Sequence, residues 1–182
     1  MSLKDLTKDK HTEAERTNFM RAALKGRMTD EVWADYTYQK SIFYDSIENV
    51  ARYEKLTVDC LDIERAIKLY LDAKEMCGNS FPRINKVTIE YCRYLLDLVG
   101  QPDKIMAHLY VWHMGDMHGG QIIRKLLPFP HRNLDFNDVE KLKVTIRSKL
   151  NDSMADEANI AFAWGIRLMK EYDAALPLPV EE

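Results

Sequence analysis

Apolar residues recur at the 3.6-residue spacing of an α-helix along almost the whole chain, and the breaks between these runs fall on glycine and proline. The pattern predicts a first helix over residues 8–25, ending at Gly26. A second starts near Thr29, with Asp30 and Glu31 complementing the dipole in its first turn and Phe43, Ile47, Val50 and Ala51 on its buried stripe. A third runs from Leu61 to Cys77 and stops at Gly78, with residues 79–82 as a loop. Ile84, Val87, Tyr91, Leu95 and Leu98 mark a fourth, ending at Gly100. Val87–Tyr91 taken alone reads as a strand, but the longer helical period outvotes it. A fifth helix over about 103–126, a loop through Pro128, Pro130 and Asn133, a sixth helix through Val139, Leu142, Ile146 and Leu150, and a seventh over 156–173 complete an all-α multi-helix bundle. One domain is expected over residues 1–176, with a short tail at 177–182.

The fifth helix carries an anomaly. Gly115, Gly119 and Gly120 fall within Gly115-Asp116-Met117-His118-Gly119-Gly120-Gln121. Glycine in a helix interior costs about 0.5–1 kcal/mol relative to alanine, so three together require a reason. Something flat or bulky must approach the backbone where a Cβ would collide. Gly115 and Gly119 are one turn apart, so they bare a strip of main chain with Asp116 beside it. A tight helix crossing is the competing explanation of such a cluster seen alone.

A second pattern stands near the N-terminus. Lys4, Lys8, His11 and Glu15 occupy one stripe of a helix. Glu15, one turn beyond His11, can orient the imidazole by accepting from the ring nitrogen that faces away from a metal. The two lysines, one and two turns before it, suit a metal-bearing organic ring with carboxylates on one edge.

The segment His11-Thr12-Glu13-Ala14-Glu15-Arg16-Thr17-Asn18-Phe19-Met20 resembles the proximal helix of haem oxygenases, and Gly115–Gln121 resembles their distal signature, usually Gly-Asp-Leu-Ser-Gly-Gly-Gln. The likeness extends to Arg147-Ser148-Lys149-Leu150-Asn151 and Ile160-Ala161-Phe162. It implies haem b, both substrate and cofactor, held between the first helix and the glycine-bearing helix. His11 is then the axial iron ligand and Glu15 its orienting partner. Gly115 and Gly119 give close approach on the distal face, with Gly120 beside them, and Asp116 holds the water network that delivers protons during oxygen activation. Lys4, Lys8, Lys143 and Arg147 are the cations expected at the haem carboxylates, and Tyr110 adds a phenolic hydrogen bond. Tyr44 and Phe162 match pocket-lining positions. The resemblance further implies opening of haem at the α-meso carbon to biliverdin IXα with release of iron and carbon monoxide, using O2 and an external electron donor such as ferredoxin. It also implies a downstream bilin reductase as a partner.

Three positions depart from the family pattern: His118 stands where serine is usual, Trp112 where arginine is common, and Gly165 where asparagine often sits. His118 could donate on the distal face, hydrogen-bond to Asp116 or bind iron itself. His108, His113 and His131 read as structural or surface residues.

A net charge of −3 with balanced acidic and basic residues argues against nucleic acid as the main partner. Cys60, Cys77 and Cys92 lack the spacing of a disulfide framework or zinc site, which suits a reducing cytoplasm. No run approaches eighteen apolar residues and the N-terminus is charged, so neither membrane span nor signal peptide is expected, and the protein reads as a cytoplasmic monomer. A non-catalytic haem carrier or sensor and a di-iron bundle are the competing classes. Asp116 beside the bare strip favours an enzyme over a carrier. The absence of any Glu-x-x-His spacing disfavours di-iron chemistry.

Overall fold

The computed structural model describes residues 2–176, and among these no strand occurs. The expected tail at 177–182 lies outside the described residues. Ten helices follow in order: α1 (Leu3–Leu6), α2 (Lys8–Glu15), α3 (Asn18–Leu24), α4 (Asp30–Tyr53), α5 (Ala66–Cys77), α6 (Lys86–Asp97), α7 (Pro102–Gly115), α8 (Gln121–Leu126), α9 (Val139–Arg147) and α10 (Ala155–Lys170). Between α7 and α8 the chain passes through a π-helical turn, Asp116–Gly120.

The long helix α4 is the spine. Thr29 caps it by accepting from the Val32 amide at 3.3 Å. Phe43, Tyr44, Ile47 and Ala51 are wholly buried on it, where it packs against α5, α6 and α7. Helix α10 packs against α7 and also against α2, so the N-terminal segment is held to the bundle mainly from one side. Helix α6 is indeed a helix through Val87–Tyr91, because Val87, Thr88, Tyr91 and Leu95 bury one stripe. Gly26, Gly78 and Gly100 all have positive φ, the conformation that ends a helix at little steric cost in glycine.

Several helix bounds change, those of the sixth helix among them: it ends at Arg147, short of Leu150. The first helix is not continuous over 8–25 but breaks at Arg16–Thr17, and a further short helix, α1, precedes it. Thr17 is extended (φ −61°, ψ 150°); its hydroxyl donates to the Ala14 carbonyl at 2.9 Å and accepts from the Met20 amide at 3.2 Å. A threonine that serves backbone groups on both sides offers the chain an alternative to helix continuation. Thr7 stands between α1 and α2 and donates back to the Leu3 carbonyl at 2.9 Å, with no side-chain bond to the helix that follows. The third helix is likewise shorter than expected: Leu61–Ile63 is a separate 3-10 turn before α5.

Candidate functional site

A cavity of about 910 Å³ opens where α2 meets the π turn, at the upper end of the range of small-molecule sites. Residues from α1, α2, α3, α4, α7, the π turn and α10 share its wall. His11 stands on it with its ring edge toward Phe162, centroids 5.7 Å apart. His11 Nδ1 faces the Glu15 carboxylate at 3.6 Å, and Nε2 takes no hydrogen bond among the described residues. The ring is 59% exposed, so nothing in the protein's own packing requires a histidine there.

The glycine strip answers the question its cost raises. A Cβ built on Gly115 or Gly119 meets no atom within 4 Å, and both residues line the cavity. Neither is needed for a close helix crossing; both leave room for an occupant. Gly120 differs, for its Cβ would come within 2.7 Å of the Leu134 side chain, so packing explains that glycine although it also lines the cavity. Replacing Gly115 with leucine should therefore leave folding at least as stable, since a helix gains about 0.5–1 kcal/mol on losing glycine. The same change should block uptake of a flat ligand. Thermal melting read beside a haem titration checks this, and unchanged haem affinity would remove the strip from the binding surface.

Asp116 sits at the end of this strip, only 6% exposed, and three donors converge on it. Lys40 Nζ reaches Oδ1 at 2.7 Å, while the Tyr44 hydroxyl and Asn133 Nδ2 reach Oδ2 at 2.8 and 2.9 Å. Burial works to lower the Lys40 pKa, yet the neighbouring carboxylate holds it above lysine's ordinary value. Burial, reinforced by Asp116, raises the Tyr44 phenol far above its ordinary range, so Tyr44 remains a donor. The π turn carries Asp116 at its first position, and such turns concentrate at functional sites.

Lys4, Lys8, Tyr110 and Arg147 also line the cavity. Burial raises the Tyr110 phenol, and its hydroxyl engages Thr7. Lys143 is not in the wall; its ammonium is taken by Glu140 at 2.9 Å. Tyr44 is not in the wall either but lies behind Asp116, where it acts as a donor. His118 lines the cavity, and its hydrogen bond goes to the Met114 carbonyl at 2.8 Å, not to Asp116. A carbonyl only accepts, so Nδ1 is the donor in that bond, and Nε2 has no hydrogen-bond partner among the described residues. His108 and His113 are fully buried on carboxylates, Glu157 and Glu48. His131 is in the cavity wall, bonded to the Leu127 carbonyl at 3.1 Å.

Lys40 and Asn133, two of the three donors on Asp116, escaped sequence reasoning. Lys40 is a lone cation on a helix whose alternation reads as solvated surface, and only the tertiary fold brings it to a carboxylate 76 positions away. Trp112 and Gly165 form a complementary pair: a Cβ at 165 would lie 3.3 Å from the Trp112 indole. The two departures from the family pattern thus explain each other, and small glycine makes room for large tryptophan.

A histidine with a free ring nitrogen, a bare backbone strip and basic residues around one cavity suit a flat metal-bearing ring with acidic substituents. The family model for Heme oxygenase matches residues 1–171. Mouse heme oxygenase 2 is 26% identical over 204 residues, covering 95% of this chain and 65% of that protein. Heme oxygenase 1 of Synechocystis is 24% identical, covering 96% and 84%. The crystal structure of the Synechocystis heme oxygenase-1 in complex with heme superimposes with a TM-score of 0.86 at 21% identity, covering 95% of this chain and 91% of that one. The Leptospira interrogans enzyme gives 0.84 at 24%, covering 94% and 100%. The chain belongs to the heme oxygenase family. It spans about two thirds of the length of the mammalian relatives it matches. Among the described residues no helix is long and apolar enough to cross a membrane.

Proposed function

We propose that this protein is a haem oxygenase that opens haem to biliverdin with release of iron and carbon monoxide, consuming O2 and electrons from an external donor. The observation that carries the reading is one cavity holding the free Nε2 of His11, a glycine strip whose Cβ positions are empty, and Asp116 beside it. Haem is the substrate, and its reduced iron supplies the O2-activating chemistry. His11 Nε2 is the ligand, neutral imidazole being an ordinary haem partner, and Glu15 steadies the ring from the far side. Gly115 and Gly119 carry no side chain, so haem would lie close against the bare main chain of the strip. Asp116 keeps its carboxylate at the distal face and passes protons through water, a role open to a carboxylate one or two waters from the reacting atom. Lys40, Tyr44 and Asn133 are positioning residues that fix that carboxylate. An electron donor of the ferredoxin class, a bilin reductase taking the product, a monomeric state and a cytoplasmic setting complete the proposal.

Anaerobic titration with haem, followed by O2 and a chemical reductant, tests it. The Soret band should give way to a biliverdin spectrum. Haem that binds and persists under these conditions would establish a carrier instead.

Regiochemistry follows from the cavity rim. Lys4, Lys8 and Arg147 line the cavity and would meet the carboxylate edge of haem, whereas Lys143 is committed to Glu140. Exposed ion pairs contribute only about 0.2–1 kcal/mol each, so these groups set the in-plane rotation of haem more than its affinity. The expected product is biliverdin IXα. Arg147→Glu should yield a mixture of isomers while haem remains bound, read by chromatography of the product. Pure IXα from that variant would assign orientation to the apolar walls.

A further inference from the structure

Trp112 begins a row of aromatic side chains that leaves the cavity and ends near the surface. Its indole lines the cavity, and its Nε1–H donates to the Tyr91 hydroxyl oxygen at 3.1 Å. The Tyr91 ring lies 6.5 Å from Trp112 and 5.3 Å from Trp164, centroid to centroid, and Trp164 lies 5.7 Å from Tyr94. Tyr91 is wholly buried, whereas Trp164 and Tyr94 are half-buried. The Arg167 guanidinium covers Trp164 at 4.3 Å. Gly165 is what lets an indole stand at the start of this row, as the approach of its Cβ position to Trp112 requires.

The hydrogen bonds beside Tyr91 run in one direction. Burial works against the charge of Glu157, but hydrogen bonds from His108 and Tyr94 hold its carboxyl below the usual range. Burial keeps His108 below the ordinary histidine value and therefore neutral at pH 7. His108 Nε2 lies 2.9 Å from Glu157, and a carboxylate only accepts, so the single ring proton is on Nε2. Nδ1 is then a bare base, 2.7 Å from the Tyr91 oxygen, and Tyr91 must donate to it. A phenol loses an electron far more readily when its proton can leave to such a base in the same step. Satisfying polar groups in a core does not require a tryptophan that reaches the cavity, nor a second tryptophan and a tyrosine leading outward.

We propose that Trp112, Tyr91 and Trp164 form a one-electron relay that draws oxidising equivalents out of the cavity when a hydroperoxide reacts with bound ferric haem. The proposal rests on haem occupying the cavity. Reduction of hydrogen peroxide to two waters takes two electrons and two protons. The relay supplies the electrons one at a time. Trp112 gives up an electron toward the haem and is refilled by Tyr91, whose hydroxyl proton moves to His108 Nδ1. The imidazolium so formed is held against Glu157, and Tyr91 is left as a neutral radical. Trp164 passes the hole on to an external thiol, which is oxidised by one electron and releases one proton, and the His108 proton returns to Tyr91. Two passes consume two thiols and one peroxide. The relay thus removes oxidising power that would otherwise attack the cavity wall.

The test has one arm with haem and one without. Ferric haem complex mixed with hydrogen peroxide and frozen rapidly should show a tyrosyl radical by electron paramagnetic resonance, with hyperfine splitting altered by deuterated tyrosine. Per haem bound, that signal should be lost in Tyr91→Phe and in Trp112→Phe. His108→Gln, which keeps an acceptor but removes the base, should lose it as well. In haem-free protein, azidyl radicals from pulse radiolysis oxidise tryptophan, and the indolyl radical should convert to a tyrosyl radical within one molecule. Tyr91→Phe should slow that conversion. An undiminished tyrosyl signal in Tyr91→Phe, or a haem-free conversion that ignores it, overturns the relay. Failure to form a haem complex would instead overturn the haem oxygenase reading, with the haem-free arm still deciding the relay.

Discussion

His11→Ala should abolish histidine ligation of haem and turnover while leaving the fold intact. The separation arises because the imidazole does nothing else. It is 59% exposed, meets Glu15 only at 3.6 Å, and touches Phe162 edge-on. Surface substitutions of that kind stay within about ±0.5 kcal/mol of the parent stability, and alanine is the better helix former. The absorption spectrum of the haem complex should therefore change while the melting temperature does not. Added imidazole should restore part of the spectrum and of the activity, because the space vacated opens onto the cavity. An unchanged spectrum would move the axial bond to another group, and His118, whose Nε2 is free, is the next nitrogen in the wall.

Lys40→Met should have the opposite profile, a large loss of stability. Lys40 and Asp116 are 13% and 8% exposed in their side chains and sit 2.7 Å apart. Breaking a buried pair by removing one partner costs about 3–5 kcal/mol, since the other charge is left uncompensated. The double variant Lys40→Met/Asp116→Asn should recover much of that loss, which a contribution from lysine packing alone would not permit. The pH dependence has a defined sign. Lys40 is raised above its ordinary value of about 10.5, so its contribution is complete below that value and lost only as pH rises through the higher folded value. The gap between parent and variant should stay flat through neutrality and close in strong alkali. Denaturant melts at several pH values measure it, and a gap that closes near neutrality would refute the ion pair. Where Lys40→Met still folds, its haem should bind but yield less biliverdin, as Asp116 is no longer fixed.

Most of the helices were legible because they bury a stripe at the helical period, and several end on a glycine with a local reason to stop. The sequence also exposed His11, Glu15 and the glycine strip, because each violates a local rule: glycine inside a helix, a histidine among charges. What stayed hidden depends on distant contacts. The π turn preserves the placement of Gly115 and Gly119 on one wall although the ideal helical register is broken. Thr17 interrupts what looked like one helix through two hydrogen bonds that propensity scales do not weigh. Lys40 has no local signature at all. The exchange of Trp112 and Gly165 for other residues looked like two unrelated departures until the fold put them in contact.

Helix α2, which carries His11, buries no residue of its own. A wall element with so little apolar anchorage opens at a small free-energy cost, and a ligand bound to it supplies the missing stability by mass action. Under the function proposed above, haem would be fastened to α2 through His11. Loss of the iron would remove that bond, so the finished reaction would itself loosen the hold of this wall on the product.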